Sequence, residues 1–197
     1  MSEVGTRCHV AILAGGMGTR LRARSGDMPK PMVPVVGKPV LQHQIELCRK
    51  HGFTDIALLV QHRHEKISDY FGDGSALGVK LKYAVEDEPR GTAGALRDAL
   101  PMLANRFLLL YGDTFMDVDL RKLWNVHNTS GAVGTLFLHP NDHPQDSDLV
   151  DIDADGATVG VTVGAHFLEL NEPTLLRGLV PGTHHVFISG AGRRSAI

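Results

Sequence analysis

The sequence predicts an α/β fold, a single domain in which helices flank a mostly parallel sheet. Three observations predict it. Short apolar runs, at 9–13, 55–60 and 107–111, alternate with segments whose apolar residues recur at helical spacing. The connections between them are short, and strand–helix–strand units of that kind close into parallel sheets layered by helices. The first run also empties directly into a glycine-rich turn, Ala14-Gly15-Gly16-Met17-Gly18-Thr19-Arg20-Leu21. Ligands of such sheets sit beyond the carboxyl ends of the strands, which is where that turn lies.

The elements follow in order. Leu41, Ile45 and Cys48 mark a helix, with Gly52 as its C-terminal cap. Residues 55–60 form a buried strand. Residues 65–71 form a second helix, ended by Gly72-Asp73-Gly74. Val79, Leu81, Tyr83 and Val85 alternate with other residues, as in a strand with one buried face. Residues 92–100 are helical and Pro101 stops them. Residues 107–111 form the third apolar strand, 120–128 a helix and 132–138 another strand. Asp153-Ala154-Asp155-Gly156 reads as a hairpin turn with 159–163 as the return strand. Residues 172–176 can start a helix, and the end of the chain has no amphipathic plan.

Composition excludes several classes. The 197 residues are 43% hydrophobic with a formal charge of −2, an ordinary globule without the basic excess of a nucleic-acid binder. No apolar stretch approaches a membrane span, and the first residues lack the basic start and apolar core of a signal peptide. A cytoplasmic protein is expected. Cys8 and Cys48 read as small core residues in a reducing compartment. His62-Arg63-His64 and His184-His185 lack a third ligand at recognised zinc spacing.

The glycine turn admits three readings. A dinucleotide-binding turn wants a third glycine where Leu21 stands, and a Walker A loop wants Gly-Lys-Ser/Thr, which occurs nowhere. The third is a plain β-turn. Glycines let backbone N–H groups converge on an anion, and Arg20 and Lys30 would supply cations for a polyphosphate.

The longer string is more specific. Gly15-Gly16-Met17-Gly18-Thr19-Arg20-Leu21, then Pro29-Lys30-Pro31-Met32, then Pro34-Val35-Val36-Gly37-Lys38-Pro39 resembles the signature of the sugar-1-phosphate nucleotidyltransferases, in particular the bacterial heptose- and mannose-1-phosphate guanylyltransferases. The resemblance implies a Rossmann-like, glycosyltransferase-A-like sheet. It also implies an NTP and a sugar 1-phosphate as partners, and Mg²⁺ as cofactor. A homo-oligomer is compatible with it. By the same resemblance Ala14, Gly15, Gly16, Gly18 and Thr19 would hold the nucleotide, with Arg20 and Lys30 on the phosphates. Glu86, Gly91 and Thr92 would line the base, and Asp113, in Tyr111-Gly112-Asp113, would be the metal-holding catalytic carboxylate. Bland alternatives stand beside these: an acidic loop with Thr92 as a cap, and Asp113 as a cap. Glu86 tilts the nucleotide toward GTP, because a carboxylate accepts the neighbouring N1–H and amine donors of guanine. The polar loop 139–148 suits sugar hydroxyls or plain solvent, and it resembles that of the bacterial heptose-1-phosphate guanylyltransferases more than that of thymidylyl or uridylyl enzymes.

The resemblance covers about residues 10–156, within a transferase domain of 8–163. The sugar-binding and second-aspartate motifs of the family are absent from 164–197. A truncated or frame-altered member is therefore expected, and a non-catalytic nucleotide-binding homologue is the alternative function.

Overall fold

The computed structural model describes residues 7–16, 28–61, 63–88, 90–138, 149–152, 154, 158–163, 166–169 and 176–179. By internal contacts the chain forms two units, Met1–Leu120 and Arg121–Ile197.

The first unit holds a four-stranded parallel sheet. Its strands are β1 (Cys8–Leu13), β4 (Asp55–Val60), β5 (Lys80–Val85) and β6 (Leu103–Tyr111), in the spatial order β5-β4-β1-β6. Strand β1 is central because it can be. Val10, Ala11 and Ile12 are wholly buried, so both faces are apolar, as a parallel strand layered on both sides requires. The chain moves from β1 outward to β4 and β5, then returns to β6 on the other side of β1. That reversal makes a crevice at the carboxyl ends.

The sequence periods are realised in this unit. Helix α1 (Val40–Lys50) buries Leu41, Ile45 and Cys48 on one stripe. Burial drives the Cys48 thiol up to about 12, so it stays a neutral core group. Helix α2 (His64–Phe71) buries Ile67 and Phe71, and α3 (Gly91–Ala99) buries Ala95, Leu96 and Ala99. Each fully buried Leu or Ile here, such as Leu58 or Ile12, contributes about 1.5–3 kcal/mol. A small hairpin, β2 (Pro34–Val35) and β3 (Lys38–Pro39), precedes α1.

Three expectations need correction. Strand β6 starts at Leu103 rather than 107, because exposed Asn105 and Arg106 break the apolar run without breaking the strand. Val85 was expected on a buried face, yet it is 48% exposed at the end of the edge strand β5. Thr92 is inside α3; Arg90 holds the cap position and no side chain caps the helix.

The second unit contains α4 (Leu120–Ser130, its first residue in the first unit), a parallel pair of β7 (Gly134–Phe137) with β11 (Leu176–Leu179), and an antiparallel sheet β10-β9-β8. Here β8 is Leu149–Ile152, β9 Thr158–Val163 and β10 His166–Glu169, so the strands of the expected hairpin pair, while 153 and 155–157 of its turn lie outside the described residues. Buried Thr135 meets His127 Nδ1 at 2.9 Å, tying β7 to α4. Leu176 opens a strand where a helix start was expected; 172–175 lie outside the described residues. No described helix is long and apolar enough to cross a membrane.

Candidate functional site

The carboxyl ends of all four strands of the first unit open into one cleft of about 430 Å³. Its wall is assembled from strand ends: Leu13, Gly15 and Gly16 after β1, Leu59 and Gln61 at β4, Glu86 after β5, Tyr111 and Asp113 at β6. Lys30, Pro31, Gly91, Thr92 and Ala95 complete it.

Two glycines after β1 differ in what they serve. Ala14 is buried and donates its N–H to Leu59 O at 2.7 Å, which turns the chain toward β4. A Cβ at Gly15 would then lie 3.2 Å from Gln61 Cβ and 3.3 Å from Gln61 N, so glycine there lets the turn pack. A Cβ at Gly16 would meet nothing within 4 Å among the described residues. Among them, Gly16 leaves open space that a ligand can approach. At β6 the constraint is tighter. Gly112 donates to Leu13 O at 2.8 Å, and a Cβ there would sit 2.8 Å from that same oxygen.

The Gly112 turn presents Asp113. Thr114 closes the turn with its N–H and hydroxyl, both donated to Tyr111 O at 3.3 and 3.1 Å. From beneath, the buried Gln44 of α1 donates its carboxamide to Tyr111 O at 2.5 Å and to Thr114 O. Asp113 is thereby fixed by contacts its own side chain does not make. Its carboxylate Oδ2 receives Lys30 Nζ at 2.5 Å, both side chains being about a third exposed. Lys30 is delivered by a short 3-10 turn, Lys30–Met32, whose Pro31 and Met32 are buried. A cation and a hard carboxylate thus share the floor of a glycine-walled cleft. That arrangement suits a phosphate ester and a divalent ion together.

Glu86 is set at the far side. Its N–H is donated to Val60 O at 2.9 Å, extending the β4–β5 ladder by one step. Its Oε1 is buried and accepts no hydrogen bond among the described residues. A buried carboxylate oxygen without a donor is costly, so the position favours a ligand that brings one. The uncapped first turn of α3 lies beside it with Gly91 and Thr92 on the cleft wall. The N–H groups of a helix's first turn have no partner within the helix.

Of the residues singled out from sequence, Gly15, Gly16, Lys30, Glu86, Gly91, Thr92 and Asp113 meet in this cleft, with Ala14 buried just behind it. Gly18, Thr19, Arg20 and the loop 139–148 lie outside the described residues. Among the described residues no three His, Cys, Asp or Glu side chains group as a metal site. Asp117 pairs with Lys50 at 3.4 Å and Asp119 with His51 at 3.4 Å, so both work away from the cleft. The sequence reading missed Gln61 and Gln44. Gln61 had a signal, since it follows a strand just as Glu86 does. Gln44 had only a polar residue beside the buried stripe of α1.

Residues 9–163 match the family described as nucleotidyl transferase. Over 112 residues the chain is 46% identical to a D-glycero-alpha-D-manno-heptose 1-phosphate guanylyltransferase of Campylobacter jejuni subsp. jejuni serotype O:2; the match takes in 57% of this chain and 50% of that protein. Over 138 residues it is 37% identical to a UTP--glucose-1-phosphate uridylyltransferase of Synechocystis sp., taking in 64% of this chain and 36% of that protein. The chain spans half or less of the length of both relatives. The fold is similar to that of HddC from Yersinia pseudotuberculosis, at a TM-score of 0.69 and 28% identity over 92% of this chain and 73% of that one.

Proposed function

The chain belongs to the nucleotidyl transferase family, and from that premise and the cleft we propose that it transfers a nucleoside monophosphate from an NTP to a sugar 1-phosphate, releasing pyrophosphate. GTP is the favoured donor, and a heptose or mannose 1-phosphate the favoured acceptor. The observation that carries the reading is the Lys30–Asp113 pair on the floor of a cleft walled by a glycine turn.

The chemistry follows from those parts. An oxygen of the sugar phosphate attacks the α-phosphorus of the NTP in line. A phosphate monoester has its second pKa near ~6, so this nucleophile is largely ionised at neutral pH and needs no protein base. The protein's task is to hold two anions together and offset charge as it develops. Open space at Gly16 admits the triphosphate, Arg20 would pair with it, and Lys30 lies where donor and acceptor phosphates meet. Asp113 fits Mg²⁺, a hard ion that takes one or two carboxylates and completes its shell with water and substrate phosphates. Bound there, the ion would offset phosphate charge.

Glu86 supports GTP. Its buried Oε1 and second oxygen can accept the adjacent N1–H and amine of guanine, whereas uracil offers one imide N–H between two carbonyls. The guanylyltransferase named above supports the same choice and the uridylyltransferase opposes it, so the nucleotide rests on Glu86.

Pyrophosphate release from GTP and Mg²⁺, measured with heptose and mannose 1-phosphates beside calorimetry of GTP binding, tests the proposal. Acceptor-dependent release is the expected result. GTP binding with no release from any sugar phosphate identifies a non-catalytic homologue, and neither binding nor release overturns both.

A further inference from the structure

We propose that Gln61 is a second base-reading residue, a specificity determinant that donates to the O6 carbonyl of guanine while Glu86 accepts from N1–H and the 2-amine. This rests on the nucleotide reading of the cleft and extends it to a residue outside the family signature. Three observations carry it. Strands β4 and β5 pair in parallel with Val60 opposite Val85, and Glu86 N donates to Val60 O at 2.9 Å. Gln61 and Glu86 are therefore the next registered pair, side by side at roughly the ~4.8 Å spacing of neighbouring strands. Both line the cleft together with Gly15. Register in a parallel pair puts opposed side chains on one face, so a carboxamide and a carboxylate present themselves together to one planar ligand edge.

The pair has the polarity of a guanine edge. Glu86 offers acceptors only, one of them the buried Oε1. The Gln61 carboxamide offers two N–H donors and has no hydrogen-bond partner among the described residues. Guanine presents, in a row, the O6 acceptor, the N1–H donor and the amine donors. Adenine reverses the first and second of these and omits the third, so it leaves Glu86 facing a lone pair. The turn at Gly15 comes close to the stem of Gln61, since a Cβ added at Gly15 would lie 3.2 Å from Gln61 Cβ. A side chain crowded at its stem beside a registered partner reads an edge at low entropy cost.

The test measures affinities for the Mg²⁺ complexes of GTP, 6-thio-GTP, ITP and UTP in unmutated protein, Gln61→Leu and Gln61→Glu. Replacing O6 by sulfur weakens the acceptor while keeping N1–H and the amine; ITP keeps O6 and lacks the amine. Unmutated protein is expected to prefer GTP over 6-thio-GTP and over ITP by about tenfold each, the worth of one well-placed hydrogen bond. Gln61→Leu should abolish the GTP/6-thio-GTP difference and keep the GTP/ITP difference, which belongs to Glu86. Gln61→Glu, nearly isosteric and facing O6 with acceptors beside the Glu86 carboxylate, should weaken GTP further. If Gln61→Leu weakens GTP and 6-thio-GTP equally, or neither, Gln61 does not read O6 and the guanine assignment to Glu86 stands. If unmutated protein binds GTP and UTP alike, the guanine reading itself fails and this inference with it.

Discussion

Lys30, framed by Pro29 and Pro31, and Lys38, framed by Gly37 and Pro39, both hold carboxylates. Lys30 reaches Asp113, 83 positions away, on the floor of the cleft. Lys38 reaches Glu46, eight positions away, on the helix that its own hairpin introduces. Glu46 also accepts from Gln42, which in turn accepts from the Tyr70 hydroxyl of α2 at 3.0 Å. The two pairs are alike in exposure and unlike in reach. A pair between segments far apart in the chain joins groups that no local geometry requires to meet, whereas a pair between a hairpin and the next helix fixes the hairpin's angle. The first lies on the floor of the cleft, and the second joins two elements of the scaffold.

The largest expected effect breaks the first pair. Lys30→Met or Asp113→Asn should lower transfer by about 10²–10³-fold, the usual cost of removing one preorganised charge from a site. Stability should change by less than about 1 kcal/mol, since both side chains are partly exposed and solvent screens the pair. Steady-state kinetics beside thermal melts decides this. A large melting shift with turnover retained would reverse the roles assigned to the two lysines.

Next in size is the support beneath Asp113. Gln44→Met keeps the volume of a buried side chain but removes the carboxamide donor from the Thr114 carbonyl and from Tyr111 O, which keeps its bonds from Thr114. A stability loss of about 1–3 kcal/mol is expected. A roughly tenfold loss in kcat at nearly constant KM is also expected, because placement of the carboxylate affects the rate more than substrate binding. If KM rises instead and kcat holds, Gln44 supports the cleft wall rather than Asp113.

Lys38→Met should do less than either. It is expected to cost about 0.2–1 kcal/mol and to leave turnover nearly unchanged. Loss of activity matching that of Lys30→Met would erase the contrast between the pairs.

The smallest effect is a pH dependence. Hydrogen bonding from Lys38, with a further bond from Gln42, holds the Glu46 carboxyl below the usual glutamate range against an opposing push from burial. The folded state therefore binds that proton less readily than the unfolded chain does. The stability this adds is present above the ordinary glutamate value, about pH 4.3, and fades as pH falls through the lower folded value. Melting temperatures of unmutated and Lys38→Met protein should thus converge in acid and stay apart at neutral pH. Parallel curves throughout would mean that Glu46 gains nothing from Lys38.

The sequence by itself determined the layered α/β plan, the strands at the front of the chain and the helix faces, because those depend on the period with which apolar residues recur along a few turns or pleats. Asp55–Val60 emerged with the same bounds from pattern and from structure. The pattern faltered where a strand carries polar residues, as at Asn105 and Arg106 in β6, and where an apolar residue ends an edge strand, as at Val85. Strand ends were also legible: Gly15, Glu86 and Asp113 each follow an apolar run, and such runs end at one rim of a parallel sheet. Only the tertiary structure decided which of these ends are neighbours. The order β5-β4-β1-β6 sets Gln61 beside Glu86, and the packing of the Lys30–Met32 turn brings Lys30 to Asp113 across 83 positions of chain. It also brings the Gln44 carboxamide under the Asp113 turn, on a helix whose local sequence explains only its apolar stripe. Local chemistry fixes conformation over a few residues. Partnership across a sheet is settled by the packing and register of whole strands, and that information is spread over the chain.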